Sequence, residues 1–107
     1  MNGEPCTLTV VEAQGLEGAI ADLDIAIAIN PRDANLYNNR GNARLANGEV
    51  SLAIAGYSQA IAIEPRLAAA YNNRGNARQA KGETDGAIAD FSRAIAINPQ
   101  LAVSKQD

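Results

Sequence analysis

The residues best suited to bind a ligand lie in an octapeptide, YNNRGNAR, that occurs twice, at Tyr37–Arg44 and at Tyr71–Arg78. Each of its asparagine side chains offers both a hydrogen-bond donor and an acceptor, which suits paired hydrogen bonds to an extended peptide backbone. Its arginines present a rigid fork of N–H donors that matches a carboxylate or a phosphate. The octapeptide therefore indicates recognition of a peptide or of an anion.

Catalysis and metal binding find little support in the sequence. There is no histidine, so imidazole general bases, histidine-based triads and histidine metal sites are excluded. The single cysteine, Cys6, cannot form a structural zinc site or an intrachain disulfide. Asp22 and Asp24 are two residues apart on a predicted helix and do not converge on one metal. We expect a protein that is not an enzyme and that needs no cofactor or metal.

Composition and charge limit the classes of partner. The 107 residues are enough for one domain, and their net charge of −3 offers no basic surface for nucleic acid or an anionic membrane. No run of ~18 apolar residues predicts a membrane helix. The N-terminus lacks the charged and apolar segments of a signal peptide, and an oxidising compartment is not indicated. We therefore expect a cytoplasmic protein.

A period of 34 residues organises the chain. The two octapeptides start 34 residues apart, and the same interval separates three copies of a phrase that ends at Pro31, Pro65 and Pro99. Each unit is interpreted as two helices, because proline ends the second helix and glycine, at Gly48 and Gly82, closes the first. The second helices are predicted to span Val50–Ile63 and Thr84–Ile97.

This helix–turn–helix unit of 34 residues resembles the tetratricopeptide repeat. Counted from Ala34 and Ala68, both units carry the family's aromatic, glycine, alanine, aromatic, alanine and proline residues at positions 4, 8, 20, 24, 27 and 32. These residues are Tyr37, Gly41, Ala53, Tyr57, Ala60 and Pro65, and Tyr71, Gly75, Ala87, Phe91, Ala94 and Pro99. Arginine replaces the usual leucine at position 7 and the usual aromatic residue at position 11.

The resemblance implies an all-α fold, a right-handed superhelical solenoid of antiparallel helix hairpins with about two and a half repeats. We expect residues 1–107 to form a single domain. Its segments are an irregular N-terminal part (1–17), a half repeat (18–31), two repeats (34–67 and 68–99) and a C-terminal tail (100–107). The N-terminal part is expected to be irregular because Gly3 and Pro5 precede a β-branched run that is a poor start for a helix. The alternative is a helix that begins only at Val11.

At 100° per residue the octapeptide separates into two faces of its helix. Tyr37 and Gly41 lie on one face, where we expect glycine to let a neighbouring helix approach and tyrosine to supply packing area. Asparagines lie on the opposite face, although asparagine is a mediocre helix residue and solvated faces usually carry Glu and Lys. A solvated face is the alternative to a binding face.

In tetratricopeptide proteins the first helices line the concave face of the superhelix, and asparagine there commonly holds the main chain of a ligand. The resemblance implies this role for Asn38, Asn42, Asn72 and Asn76. With their neighbours, the predicted peptide-binding residues are Asn35, Asn38, Asn42, Leu45, Asn72, Asn76 and Gln79. Leu45 and Gln79 are expected to add side-chain selection. The family's carboxylate clamp needs Lys or Arg at the second, fifth or sixth position, which asparagine occupies in the first full repeat, so we do not expect that clamp.

The octapeptide arginines lie towards the packed face, where an unpaired charge would be costly. These arginines are Arg40, Arg44, Arg74 and Arg78. Either their guanidinium groups reach water, or they pair with acids on neighbouring second helices. The acids expected beside them are Asp22, Asp24 and Asp90. The alternative is a secondary site that binds a phosphate or a carboxylate.

We expect a protein–protein interaction module or scaffold that binds an extended peptide in an asparagine-lined concave groove. The alternative is a self-assembling module, homo-oligomeric or domain-swapped through uncapped terminal helices, because repeat proteins generally need about three units and polar caps. A third interpretation is a fragment of a larger repeat protein.

Overall fold

The fold is that of a computed structural model, which describes residues 10–101 and the side chains of residues 15–101. Five helices follow one another: α1 (Val10–Ile29), α2 (Ala34–Ala46), α3 (Val50–Ile63), α4 (Ala68–Lys81) and α5 (Thr84–Ile97). The pairs α2/α3 and α4/α5 form hairpins, α1 packs on α2, and α3 packs on α4. Within the described residues there is no strand, so the expected all-α solenoid of helix hairpins is confirmed.

Proline and glycine set the helix boundaries, as the sequence predicts. The Asp33 side chain accepts a hydrogen bond of 3.0 Å from the Asn35 N–H, which caps the start of α2. Gly48 and Gly82, which follow α2 and α4, have φ angles of 84° and 88°. Only glycine adopts this left-handed conformation without strain, so both first helices end where the chain must turn back.

The first helix, α1, begins earlier than the sequence predicts. The expectation of an irregular segment over residues 1–17 is wrong for residues 10–17, which are helical, whereas residues 1–9 lie outside the described part. Leu16, Ile20, Leu23 and Ile27 are half-buried at helical spacing. Packing of this apolar face against α2 outweighs the weak local propensity of the segment. In the expected tail, residues 100 and 101 are helical and residues 102–107 are not described.

Alanine and two aromatic rings fill the space between the helices. Tyr57 is the largest fully buried side chain, and it belongs to a cluster with Ala53 and Ala77. A Cβ atom on Gly41 would lie 2.6 Å from Cε1 of Tyr57, and one on Gly75 would lie 2.6 Å from Cε1 of Phe91. The glycines of the two octapeptides therefore make room for the rings of the facing second helices, as expected for packing residues.

None of the helices in the described range is both long and apolar enough to cross a membrane.

Candidate functional site

The predicted peptide-binding residues lie on α2 and α4, but they differ in exposure. Asn35, Asn42, Asn76 and Gln79 are exposed, Leu45 and Asn72 are half-buried, and Asn38 is buried. The amide face is therefore not a uniform row of solvated side chains. Its exposed members are the ones that a ligand reaches without a rearrangement of the protein.

Asn38 joins α2 to α4. Its Oδ1 accepts a hydrogen bond of 3.1 Å from Nδ2 of Asn73, and only 7 % of the residue is exposed. Asn72 holds the equivalent position in the second repeat, where its Oδ1 is buried with no hydrogen-bond partner among the described residues. The residue that would correspond to Asn73 one period later is number 107, outside the described range. Position 38 therefore holds neighbouring repeats together, a role that the sequence pattern alone does not reveal.

Asn42 is exposed, yet the protein holds its side chain in place. The hydroxyl of the buried Tyr57 donates a hydrogen bond of 2.6 Å to Oδ1 of Asn42. Burial also raises the pKa of Tyr57 to about 12, so the hydroxyl keeps its proton at neutral pH. Because the carbonyl oxygen is engaged, the amide NH₂ of Asn42 is the group presented to a ligand. In the second repeat Phe91 replaces this tyrosine and cannot form the same bond with Asn76.

Leu45, which is expected to select a side chain of the ligand, is half-buried. It packs against the cluster of Ala53, Tyr57 and Ala77, so its contribution is mainly to the core. A cavity of about 540 Å³ lies instead beside Asn35, at the N-terminal ends of α2 and α4. Its wall includes Arg32 together with the apolar side chains of Ile63 and Leu67. Sequence reasoning missed this cavity because two loops, one repeat apart, must come together to form it.

Three of the four octapeptide arginines are paired with acids. Arg74 donates to both oxygens of Asp90, from Nε at 3.0 Å and from an NH₂ group at 2.9 Å, while Arg78 donates to Asp90 at 3.0 Å. Arg74 also donates to Oγ of Ser58 at 3.0 Å. Asp90 is only 3 % exposed, so the three hydrogen bonds to its carboxylate compensate for the loss of hydration on burial.

The first full repeat arranges its arginines differently. Arg40 pairs with Asp24 of α1, whereas Arg44 forms no side-chain hydrogen bond or ion pair with a described residue. Asp22 likewise pairs with no arginine within the described range. The guanidinium of Arg40 lies 5.6 Å from the ring centre of Tyr37, and Arg74 stands over Tyr71 at the same distance. Arg40 and Arg74 thus cover the tyrosine rings.

Over the residues that the structure describes, no group of three or more His, Cys, Asp or Glu side chains could hold a metal ion.

Two solved structures are among those most similar to this chain. The crystal structure of MamA is 33 % identical, with a TM-score of 0.76 over 82 % of this chain and 52 % of MamA. The chain thus spans about half the length of that protein. The Arabidopsis OM64 TPR domain is 29 % identical, with a TM-score of 0.79 over 84 % of this chain and 74 % of that domain.

A third similar structure contains a ligand. It is the second TPR of Spaghetti (RPAP3) bound to the HSP90 peptide SRMEEVD, 29 % identical, with a TM-score of 0.75. The match covers 78 % of this chain and 77 % of that one. No curated protein matches the sequence significantly.

Family models cover nearly all of the described helices. A model of the TPR repeat matches residues 11–48 and 41–82, and a model of the tetratricopeptide repeat matches residues 68–101. The chain therefore belongs to the tetratricopeptide repeat family, whose domains are protein–protein interaction modules.

Proposed function

We propose that this protein binds an extended segment of a partner protein across the concave face formed by α2 and α4. The observation that carries the proposal is the bond from buried Tyr57 to Asn42, which leaves the Asn42 amide NH₂ directed to solvent. A side chain held in this way loses little conformational entropy when it donates to a peptide carbonyl group. Asn76 extends the same face by one repeat.

The segment is recognised through its main chain rather than through acidic groups. The similar Spaghetti domain binds a peptide with three acidic residues, SRMEEVD. In α2 of this protein, the second, fifth and sixth positions of the repeat, which the family's carboxylate clamp uses, hold Asn35, Asn38 and Asn39, and none of these carries a positive charge. A groove that relies on neutral amides gives modest affinity, on the order of micromolar or weaker.

Selection of a side chain is assigned to the cavity beside Asn35. The wall of this cavity has an apolar part, formed by Ala34, Ile63 and Leu67, and a polar part, formed by Asn30, Arg32, Asp33, Asn35 and Glu64. A side chain with an aliphatic stem and a polar end fits this mixed wall and its volume of about 540 Å³, and the main chain of the bound segment then passes along Asn35 towards Asn42.

The test is a peptide-library selection with the whole chain and with the double variant Asn42→Ala, Asn76→Ala. We expect the double variant to lose most of the captured peptides while it keeps its helical circular-dichroism spectrum. Ser92→Ala, which removes an exposed polar group from α5, is the matched control and should capture the same peptides as the unmodified protein. Unchanged capture by the correctly folded double variant would refute the groove.

A second candidate function, self-assembly, rests on apolar side chains of the first and last described helices. Ile25 and Ile29 of α1 are 60 % and 79 % exposed, and Ile88 of α5 is 58 % exposed. Contact between such faces would stack copies of the chain end to end or pair them. Light scattering after size exclusion tests this candidate at tens of micromolar protein. A monomer at that concentration would rule it out, and a dimer that dissociates on Ile29→Glu would support it.

A further inference from the structure

One position separates the two repeats chemically. Asp90 of α5 lies one period after Gly56 of α3. In the second repeat the Asp90 carboxylate receives hydrogen bonds from Arg74 and Arg78 at 2.9 to 3.0 Å. In the first repeat Arg40 and Arg44 stand at the equivalent places, but Gly56 provides no carboxylate. The arginine pair is repeated without its acid.

Asp24 does not replace the missing carboxylate. It is the counterpart, one period earlier, of Ser58, which contacts Arg74 from the opposite side to Asp90. Its bond with Arg40 uses one terminal nitrogen, and the Asp24 side chain is 49 % exposed. The Nε atoms of Arg40 and Arg44 are buried and have no hydrogen-bond partner among the described residues. In the second repeat, Nε of Arg74 is one of the donors to Asp90.

A cavity of about 320 Å³ lies at this place. Its wall consists of Arg40, Arg44, Leu52, Ala55, Gly56 and Gln59. Leu52 is 47 % exposed although it is a large apolar residue, so the cavity offers two guanidinium groups beside an apolar margin. This combination matches an aspartate or glutamate side chain, which has a short aliphatic stem and a carboxylate end.

We propose that this cavity binds the carboxylate of an acidic side chain from a partner protein, in the place that Asp90 occupies within the second repeat. The second repeat shows that two arginines at these positions hold a carboxylate through three hydrogen bonds. On the helical wheel of α2, Arg40 and Arg44 lie opposite Asn38 and Asn42. The carboxylate site is therefore on the other side of α2 from the proposed groove and does not depend on it.

The probe is a blocked Ala-Glu-Ala tripeptide, and its control is the same tripeptide with glutamine. Nuclear magnetic resonance of the arginine Nε–H groups in the whole chain follows the titration. We expect saturable shifts at Arg40 and Arg44 with the glutamate peptide, and none with the glutamine peptide. Arg44→Gln should weaken binding about tenfold. Arg66→Gln, which removes an exposed arginine elsewhere, should not change it.

A second variant supplies the acid within the chain. Gly56→Asp should fill the cavity and abolish the shifts caused by the glutamate peptide. A Cβ atom there would approach the Tyr37 carbonyl oxygen to 3.3 Å, so α2 must move slightly. If this variant fails to fold, Arg44→Gln still decides.

Two results would overturn the proposal. One is equal shifts with both tripeptides, and the other is binding of inorganic phosphate without binding of the glutamate peptide.

Discussion

Asp90 shows how much a single carboxylate can organise. Its two oxygens connect Arg74 and Arg78 of α4 to α5, and Arg74 also reaches Ser58 of α3. One acid thus links three helices in the interior of the second hairpin. In the first hairpin, Gly56 stands in its place, and the arginine charge there is compensated by an exposed acid on α1 instead.

The two ion pairs should therefore differ in their contribution to stability. Asp90→Ala takes the buried carboxylate away from Arg74 and Arg78, whose side chains are 16 % and 28 % exposed, so we expect a loss of about 3 kcal/mol in the free energy of unfolding. Asp24→Ala removes a half-exposed partner and should cost about 0.5 kcal/mol. Urea denaturation of both variants measures the difference. Equal losses would contradict the distinction between the two pairs.

The Tyr57 hydroxyl predicts how stability changes in alkaline solution. Its pKa rises from 10.0 in an exposed tyrosine to about 12 because the ring is buried. The folded state therefore favours the protonated hydroxyl. The contribution of this hydroxyl to the free energy of unfolding is complete below pH 10 and is lost as the pH rises through 12.

Tyr57→Phe isolates this effect. Near neutral pH the variant should be less stable by about 1 kcal/mol, because the bond to Asn42 is lost. As the pH rises from 10 towards 12, the wild type should lose this advantage, which thermal unfolding at a series of pH values will show. A stability difference between wild type and Tyr57→Phe that stays constant up to pH 12 would contradict the raised pKa of Tyr57.

At the scale of the helix pair, a glycine facing an aromatic ring sets the distance between helices. Gly41 faces Tyr57, and Gly75 faces Phe91. A Cβ atom added at either glycine would lie 2.6 Å from Cε1 of the ring that it faces. The two rings differ in burial, because Tyr57 is fully buried whereas Phe91 is half-buried. An added Cβ atom should therefore be tolerated better at Gly75, which faces the half-buried ring, than at Gly41, which faces the fully buried one.

Alanine substitutions test this difference. Overpacking costs about 1 to 3 kcal/mol, and alanine regains up to about 1 kcal/mol through its higher helix propensity. We expect Gly41→Ala to lower the free energy of unfolding by about 2 kcal/mol and Gly75→Ala by less than about 1 kcal/mol. Chemical denaturation compares them, and a larger loss for Gly75→Ala would contradict this explanation.

The sequence predicts the helices whose ends carry strong local signals. Proline and left-handed glycine limit α2 to α5, and those signals act over one or two residues. The start of α1 has no such signal, since its helical state depends on packing of Leu16 and Ile20 against α2. Long-range packing of this kind is invisible to local propensity.

For the candidate site, the sequence predicts which residues share a helix face but not how neighbouring helices bury or bond them. Helical spacing predicts that Asn38 and Asn42 share a face, and it does so from the chain alone. The different fates of the two residues could not be predicted, because Asn38 is buried by α4 and Asn42 is fixed by Tyr57 of α3. The cavity between Arg44 and Gly56 likewise depends on how two helices pack, although the change from aspartate to glycine between repeats was a readable signal.

At the scale of the whole molecule, each helix is supported only by its near neighbours. Within the described range, α2, α3 and α4 each pack against at least two other helices, whereas α1 packs only on α2 and α5 only on α4. The core residues with 0 % exposure belong to α3 (Ala53, Tyr57 and Ala60) and to α4 (Ala70 and Ala77). Stability in such a stack is the sum of repeat and interface contributions.

Hydrogen exchange should reveal this gradient. We expect slower amide exchange in α2, α3 and α4 than in α1 and α5, because a helix with one neighbour can open without disturbing the others. Exchange measured by mass spectrometry or nuclear magnetic resonance will give the order. Uniform protection over all five helices would contradict a stack held together by neighbour contacts.

The central claim is that the exposed amides of α2 and α4 hold an extended peptide, and side-chain amide resonances test it most directly. A peptide obtained from the library selection is titrated into the labelled protein. We predict that the largest shifts will be those of the Asn42 and Asn76 NH₂ groups, with smaller shifts at Asn35. Shifts confined to α1 and α5, or to the Nε–H groups of Arg40 and Arg44, would contradict the groove and place the binding surface elsewhere.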